Sequence, residues 1–333
     1  MTYRESESDH PCKGFRLTIP NVKPVHLVFG DCATHYTLYL LLTKTIPAMC
    51  RLLAYLGSPI IIDKLLYQPK NSLVNQSINA KEIEEPLNGD GFGIGWYVPE
   101  LHEEPVTFVS VNPAWSNRNL RNLAPKIRTE CFIAHVRAAS VGEVSESNCH
   151  PFQYRNLLMM HNGGVENFSR IKRKIREPLS DELYNWIKGQ TDSEHLFACL
   201  LNHLFADGKT TVTSETVMGA FEKTFGDLKK LMEDADIQDA AYLNMVVTNG
   251  SFFVGTRYTT IPGEEPLTLY HSEGGRYVVE DGISFMVAPK DDDQAVLIVS
   301  EKLTEEKHWT AIPSNHFVIV DNALNVSVRA IKA

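Results

Sequence analysis

No two of the six cysteines (Cys12, Cys32, Cys50, Cys131, Cys149, Cys199) stand in C-x-x-C spacing. Their separations form no even framework either. This argues against a zinc ribbon, a thioredoxin-like site or a disulfide scaffold, and favours a reducing, cytoplasmic compartment. Long apolar runs are missing too. The longest early one, YTLYLLL at 36–42, falls far short of the roughly 20 residues that span a bilayer, so no transmembrane helix is expected. A long polar stretch containing Asp31 and His35 precedes that run, whereas a signal peptide opens near the terminus on a short basic segment. Excess basic charge is absent as well. A net charge of −9 and a pI near 5.8 leave no broad face for neutralising phosphates, which excludes a nucleic-acid footprint and points to a metabolite or protein partner.

Several motifs are approached and not completed. In NGDGFGIGWY, Gly89, Gly91, Gly93 and Gly95 alternate without satisfying G-x-G-x-x-G. The expected reading is a strand whose small residues let another backbone come close. GKT at 208–210 has His203 where a P-loop needs its first glycine, and it follows a helix instead of a strand. His135, His150 and His161 lack any H-E-x-x-H spacing, so they read as structural, and no metal or cofactor is expected. The basic run RIKRKIR from Arg170 reads as a solvated helix face.

What is present begins at residue 50. Residues 1–49 carry Pro11, Pro20, Pro24 and Pro47, scattered charge and no sustained period. They read as a leader or an over-extended start, absent from the active protein. Residues 50–333 form the working domain. CRLLAYL, GFGIGWYVP, VTFVSV, ECFIAHVRAAS and NLLMMHNGGV read as strands, the last ending in a tight turn. A block of helical spacing follows, through ENFSRIKRKI, DELYNWIKG, TDSEHLFACLLNHLF and SETVMGAFEKTFGDLKKLMED. Then LNMVVTN, SFFVGTRY, LTLYHS, SFMVA, AVLIVSE and HFVIVD return to strands. Strands, a helical block and strands again imply an α+β layered domain with no repeat.

A cysteine with a free α-amino group would hold nucleophile and base in one residue. The amine, with a pKa near 7.7 to 8.0, can accept the thiol proton at neutral pH. Cys50, taken as a true N-terminus, supplies this pair and needs no separate His/Asp dyad. Attack on an amide also requires donors for the tetrahedral oxyanion. MMHNGGVEN offers the Asn162 side chain, with Gly163 and Gly164 letting the backbone present an N–H. If the amide is glutamine-like, its α-carboxylate calls for a planar cation and its α-ammonium for a carboxylate. Arg137 and Asp192 are the candidates. Each residue also has a plainer reading: Cys50 as a buried small hydrophobe, Arg137 as a surface ion-pair residue, Asn162 as a turn signal, Asp192 as a helix cap.

In sequence order MCRLLAYLG, NGDGFGIGWY, FIAHVRAAS, ESNCHPF, MMHNGG and TDSE closely resemble the class II, N-terminal-cysteine glutamine amidotransferases. The likeness is dense from Met49 to about residue 205 and looser through SEKLT and HWTAIPSNHFVIV. Within the family, the chain resembles the stand-alone branch: the amidotransferase subunit of the fungal glutathione-degrading complex, and bacterial γ-glutamyl hydrolases of ergothioneine synthesis. The resemblance implies a four-layer αββα sandwich of the N-terminal nucleophile hydrolase type. It implies Cys50 as nucleophile, Asn162 with Gly163 as the oxyanion hole, and Arg137 and Asp192 as ligands of the γ-glutamyl head. The implied reaction releases glutamate from a γ-glutamyl amide, alone or beside a separate peptidase-like subunit. The alternatives are a glutaminase subunit feeding ammonia to a separate synthase, or a non-catalytic regulatory subunit if the leader is retained. Family members begin at the cysteine, whereas this chain has 49 residues ahead of it, so the form with Cys50 in a peptide bond is expected to be inactive.

Overall fold

The computed structural model describes residues 15–17, 25–27, 50–82, 87–138, 142–208, 210–280, 283–287, 294–305 and 308–333. Cys12, Cys32, Met49 and Lys209 lie outside them. The chain divides into two units, Met1–Ile46 and Pro47–Ala333. In the first, β1 (Phe15–Leu17) pairs antiparallel with β2 (Val25–Leu27), a short pairing that no period in the sequence announced.

The second unit contains β3 (Arg51–Ile61), α1 (Asp63–Leu66), α2 (Leu73–Asn79), β4 (Phe92–Val98), β5 (His102–Ser110), α3 (Arg118–Leu123), β6 (Arg128–Val136), β7 (Phe152–Tyr154) and β8 (Leu157–Val165). The helical block follows as α4 (Lys172–Arg176), α5 (Asp181–Trp186), α6 (Asp192–Leu204) and α7 (Ser214–Asp234). The remaining strands are β9 (Ala241–Thr248), β10 (Phe253–Arg257), β11 (Tyr270–Glu280), β12 (Ile283–Val287), β13 (Ala295–Val299), β14 (Thr310–Ala311), β15 (His316–Val320) and β16 (Val326–Ala330). Two sheets result. One runs β12-β11-β13-β3-β6-β4-β5 with β14 beside β11, and the other β16-β15-β10-β9-β8-β7.

Period-2 alternation along the strands divides their side chains between two faces, and three apolar cores follow from it. Leu53 and Tyr55 of β3, with Phe132 and Ala134 of β6, pack against Leu65, Leu73 and Leu120 of the short helices. Their neighbours Leu52, Ala54 and Ile133 turn the other way and meet Leu158, Met160, Val246 and Val318 of the second sheet. On the far face of that sheet Met159, Met245 and Val247 pack against α6 and α7. Helix, sheet, sheet, helix is the αββα sandwich expected above. Each fully buried Leu, Ile or Phe in these cores contributes roughly 1.5–3 kcal/mol.

α7 forms because Val217, Ala220, Phe221, Thr224, Phe225 and Leu228 recur on one face at three- and four-residue steps. Thr213 and Thr216 close a capping box at its start. Gly93 and Gly95 of β4 serve the close approach their alternation suggested. A Cβ on Gly93 would lie 2.1 Å from the His150 carbonyl oxygen, and one on Gly95 would lie 2.7 Å from Leu158. Among the described residues no helix is long and apolar enough to cross a membrane.

Candidate active site

Strand parity brings the candidate residues together. Cys50 immediately precedes β3 and shares the face of Leu52 and Ala54. Arg137 follows β6 on the face of Cys131 and Ile133. Asn162 lies on the face of Leu158 and Met160. All three therefore belong to the layer between the sheets, and three contacts tie them to one end of it. The Cys50 thiol lies 3.6 Å from the carbonyl oxygen of Ala138, the residue after Arg137. Ser300 Oγ accepts the Leu52 N–H at 3.0 Å and lies 3.2 Å from Asn162 Nδ2. Asp192 Oδ2 accepts the Val165 N–H at 2.7 Å, which fixes the carboxylate to the end of β8.

Two local readings of the sequence need correction. The cap of α6 is Thr191, whose hydroxyl accepts the Glu194 N–H at 3.3 Å. Asp192 is the first helical residue, its Oδ1 accepting the Ser193 N–H at 2.7 Å. A carboxylate at that position is stabilised by the helix dipole while it keeps acceptor capacity for a cation. Gly163 and Gly164 are not in a turn. They lie inside β8, opposite Leu243 and Tyr242.

At Gly163 φ is 150°, and an added Cβ would stand 1.8 Å from the Tyr242 carbonyl oxygen. Gly163→Ala is therefore expected to displace β8 from β9, costing about 1–3 kcal/mol or more as overpacking does. A thermal melt of the variant checks this, and an unchanged Tm would contradict it.

The environment of the thiol is set by burial and by charge. Cys50 is 9% exposed. Burial raises its thiol above the ordinary value, the positive charges of Arg137 and Arg51 oppose that rise, and Asp192 adds to it. A thiol in this setting does not ionise unaided at neutral pH.

Arg51 faces the opposite side of β3 and is buried beside Glu301, with Nε 3.3 Å from Oε2. Its Nη1 donates to the Cys50 carbonyl at 2.8 Å. Glu301 also accepts from Asn71 Nδ2 at 2.9 Å and from the Lys81 N–H at 3.0 Å. One carboxylate thus anchors the segment 71–82 and, through Arg51, the Cys50 carbonyl. Removing one member of such a buried pair strands the other charge.

Asn148 is a second organiser that the sequence did not flag. Its Nδ2 donates to the Glu143 carbonyl at 2.8 Å, the same oxygen that Arg137 Nη1 meets at 3.3 Å. Its Oδ1 accepts the Gln190 N–H at 2.8 Å, two residues before Asp192. Glu194 completes that loop by accepting the Lys188 and Gly189 N–H groups at 2.8 and 2.7 Å. One asparagine thereby joins the segment that Arg137 reaches to the segment that leads into Asp192.

Three histidines lie behind the site. His161 bonds Ser193 Oγ at 2.8 Å and the Tyr242 carbonyl at 2.9 Å. His135 reaches the His161 carbonyl at 3.1 Å. His150 packs 4.2 Å from the His135 ring, with neither of its nitrogens hydrogen-bonded among the described residues. His150 is thus buried without the hydrogen bond that a structural histidine ordinarily holds. Among the described residues no cluster of His, Cys, Asp or Glu could hold a metal ion.

Burial holds His135 down to about 3 and His195 to about 4, from an ordinary 6.5. Both are neutral in the fold, while the unfolded chain takes up protons below pH 6.5. Their stabilising contribution is complete above about pH 6.5. It falls as pH drops toward 4, by up to about 1.4 kcal/mol per pH unit for each histidine. Urea unfolding between pH 7 and 4.5 measures this, and a flat midpoint would refute it.

The family model described as Glutamine amidotransferases class-II matches residues 71–330. The chain belongs to the class II glutamine amidotransferases. It is 38% identical over 291 residues to the probable glutamine amidotransferase DUG3 of Saccharomyces cerevisiae, with 82% of each chain covered. It is 25% identical over 274 residues to the gamma-glutamyl-hercynylcysteine sulfoxide hydrolase of Mycobacterium tuberculosis, covering 82% of this chain and 93% of that one. Among solved structures, a glutamine aminotransferase class-II domain protein from Silicibacter pomeroyi matches with a TM-score of 0.60 at 24% identity, over 85% of this chain and all of that one. This last likeness speaks for the fold. With amidotransferases and a γ-glutamyl hydrolase among its relatives, this class II amidotransferase chain is an enzyme.

Proposed function

We propose that the chain hydrolyses a γ-glutamyl amide through a thioester on Cys50, after residues 1–49 are removed or where synthesis starts at Met49. The neutral α-amine of Cys50 takes the thiol proton, and Sγ attacks the γ-carbonyl carbon. The carbonyl electron pair moves onto oxygen, where the Asn162 amide and the Gly163 N–H stabilise it. Collapse of this intermediate breaks the C–N bond, and the α-ammonium returns its proton to the departing amine. Water then adds to the thioester and releases glutamate with the free thiol. Arg137 pairs with the substrate α-carboxylate and Asp192 with its α-ammonium.

The observation that carries this reading is the convergence of Cys50, Arg137, Asn162 and Asp192 on one end of the inter-sheet layer, linked by the contacts at Ala138, Ser300 and Val165. Burial of the thiol supports it further, because a thiol raised by desolvation requires a base beside it. The substrate class is a γ-glutamyl compound with a cysteinyl leaving group, of the glutathione kind. The relative whose name specifies a gamma-glutamyl-hercynylcysteine sulfoxide supports that class, as does the resemblance to the fungal glutathione-degrading subunit.

The unit Pro47–Ala333 holds all three cores, so a chain beginning at Cys50 retains the whole sandwich. Incubating it with glutamine, glutathione and other γ-glutamyl thiol compounds, and measuring glutamate from each, tests the proposal. Release from glutathione above release from glutamine is expected. Release from glutamine alone, rising when a synthase is added, would identify an ammonia-supplying subunit instead.

A further inference from the structure

Asn162 can stabilise an oxyanion only if its carboxamide turns the NH2 end toward the substrate, because the carbonyl end would repel the developing charge. The two ends are nearly isosteric, so the surrounding hydrogen bonds decide which faces where. Asn162 is fully buried, and one end of its amide meets Ser300 Oγ at 3.2 Å.

With Nδ2 at that end, Ser300 Oγ accepts from both Asn162 and the Leu52 N–H. Its own hydroxyl hydrogen then has no acceptor among the described residues, and Asn162 Oδ1 is buried without a donor. Two unsatisfied buried groups side by side contradict the near-complete pairing of interior polar atoms. A half-turn of the amide cures both: the Ser300 hydroxyl donates to Oδ1, and the NH2 group takes the other end. Asn244, the cross-strand partner of Asn162, supplies the matching acceptor. Its Nδ2 is spent on the Leu267 and Thr268 carbonyls at 3.0 and 3.1 Å, and its buried Oδ1 has no donor among the described residues. Directly opposed side chains on one sheet face lie within reach of each other. In this orientation one Asn162 hydrogen is assigned to Asn244 and the second to the substrate. Ser300 is itself held, its carbonyl accepting from Thr268 Oγ1 at 2.9 Å.

We propose that Ser300, with Asn244, fixes the Asn162 carboxamide with its NH2 toward the reacting carbonyl, making Ser300 a positioning residue of the oxyanion hole. The proposal rests on the hydrolytic reading above. In the chain beginning at Cys50, Ser300→Ala lowers kcat about 10- to 100-fold with KM little changed, since a disoriented oxyanion donor is lost only in the transition state. Ser300→Thr, which keeps the hydroxyl, restores most of it. In an Asn162→Ala background, Ser300→Ala costs less than about threefold more, because the two residues act as one unit. Equal losses in both backgrounds overturn the assignment.

Neutron diffraction from deuterated crystals of the full-length protein decides the orientation independently of turnover. Two deuterons on the Asn162 atom facing away from Ser300, and a Ser300 deuteron directed at Asn162, support it. Two deuterons on the Ser300-facing atom refute it. Failure of every γ-glutamyl substrate would remove the hydrolytic reading and leave this measurement standing.

Discussion

Cys50→Ala, in a chain that begins at residue 50, is expected to release no measurable glutamate, a loss of about 10⁴-fold or more, as when an essential nucleophile is removed. The fold should survive. The side chain is small and buried, and among the described residues its Sγ has one hydrogen bond, to the Ala138 carbonyl at 3.6 Å, so the stability cost is about 1 kcal/mol. Turnover and a thermal melt on the same sample separate the two effects, and undiminished turnover would end the nucleophile assignment. The companion experiment keeps Cys50 and varies what precedes it. A peptide bond to Met49 turns the α-amine into an amide that cannot take up a proton. The full chain should therefore match the alanine variant until its leader is removed, and equal rates with and without the leader would show that the amine has no part.

Arg137→Ala and Asp192→Ala are expected to cost about 2–5 kcal/mol each in kcat/KM, the range for truncating one partner of a buried charge pair. Asp192 needs a second variant, because its carboxylate also orders the backbone through the Val165 and Ser193 N–H groups. Asp192→Asn removes the charge but keeps a single accepting oxygen, enough for the Val165 N–H or the Ser193 N–H and not for both. It should fold better than the alanine variant and less well than the parent, while losing most of its affinity for the γ-glutamyl ammonium. If both substitutions lower only the melting temperature and leave kcat/KM intact, Arg137 and Asp192 are structural. Steady-state kinetics with a γ-glutamyl amide, beside the melt, distinguishes the cases.

The layers were legible in the sequence because alternation writes each strand's two faces locally. Leu52 and Leu53, or Met159 and Met160, part to different cores for that reason alone. The candidate residues were legible because each sits in a run whose chemistry is unusual at short range. The errors have a common cause. Asn162-Gly163-Gly164 looks like a turn when read alone, but pairing with β9 keeps it extended. Asp192 and Thr191 are both good caps, and the contact to Val165 decides between them. The residues that brace the site were invisible for the same reason. Ser300 and Glu301 read as the polar end of a strand, and Asn148 as part of a loop. Their roles exist only once β13 lies against β3 and the segment at 143–148 meets the one at 188–190. The edge strands β7 and β16 escaped notice because they are short, and β16 is largely exposed.

Leu52 and Ser300 are 248 residues apart. During synthesis from the N-terminus, Cys50 leaves the ribosome long before Ser300, which holds its strand, and Glu301, which holds Arg51 against its carbonyl. A nascent chain that stops short of residue 300 thus carries Cys50 without the hydroxyl that holds its strand and without the carboxylate that holds Arg51 against its carbonyl.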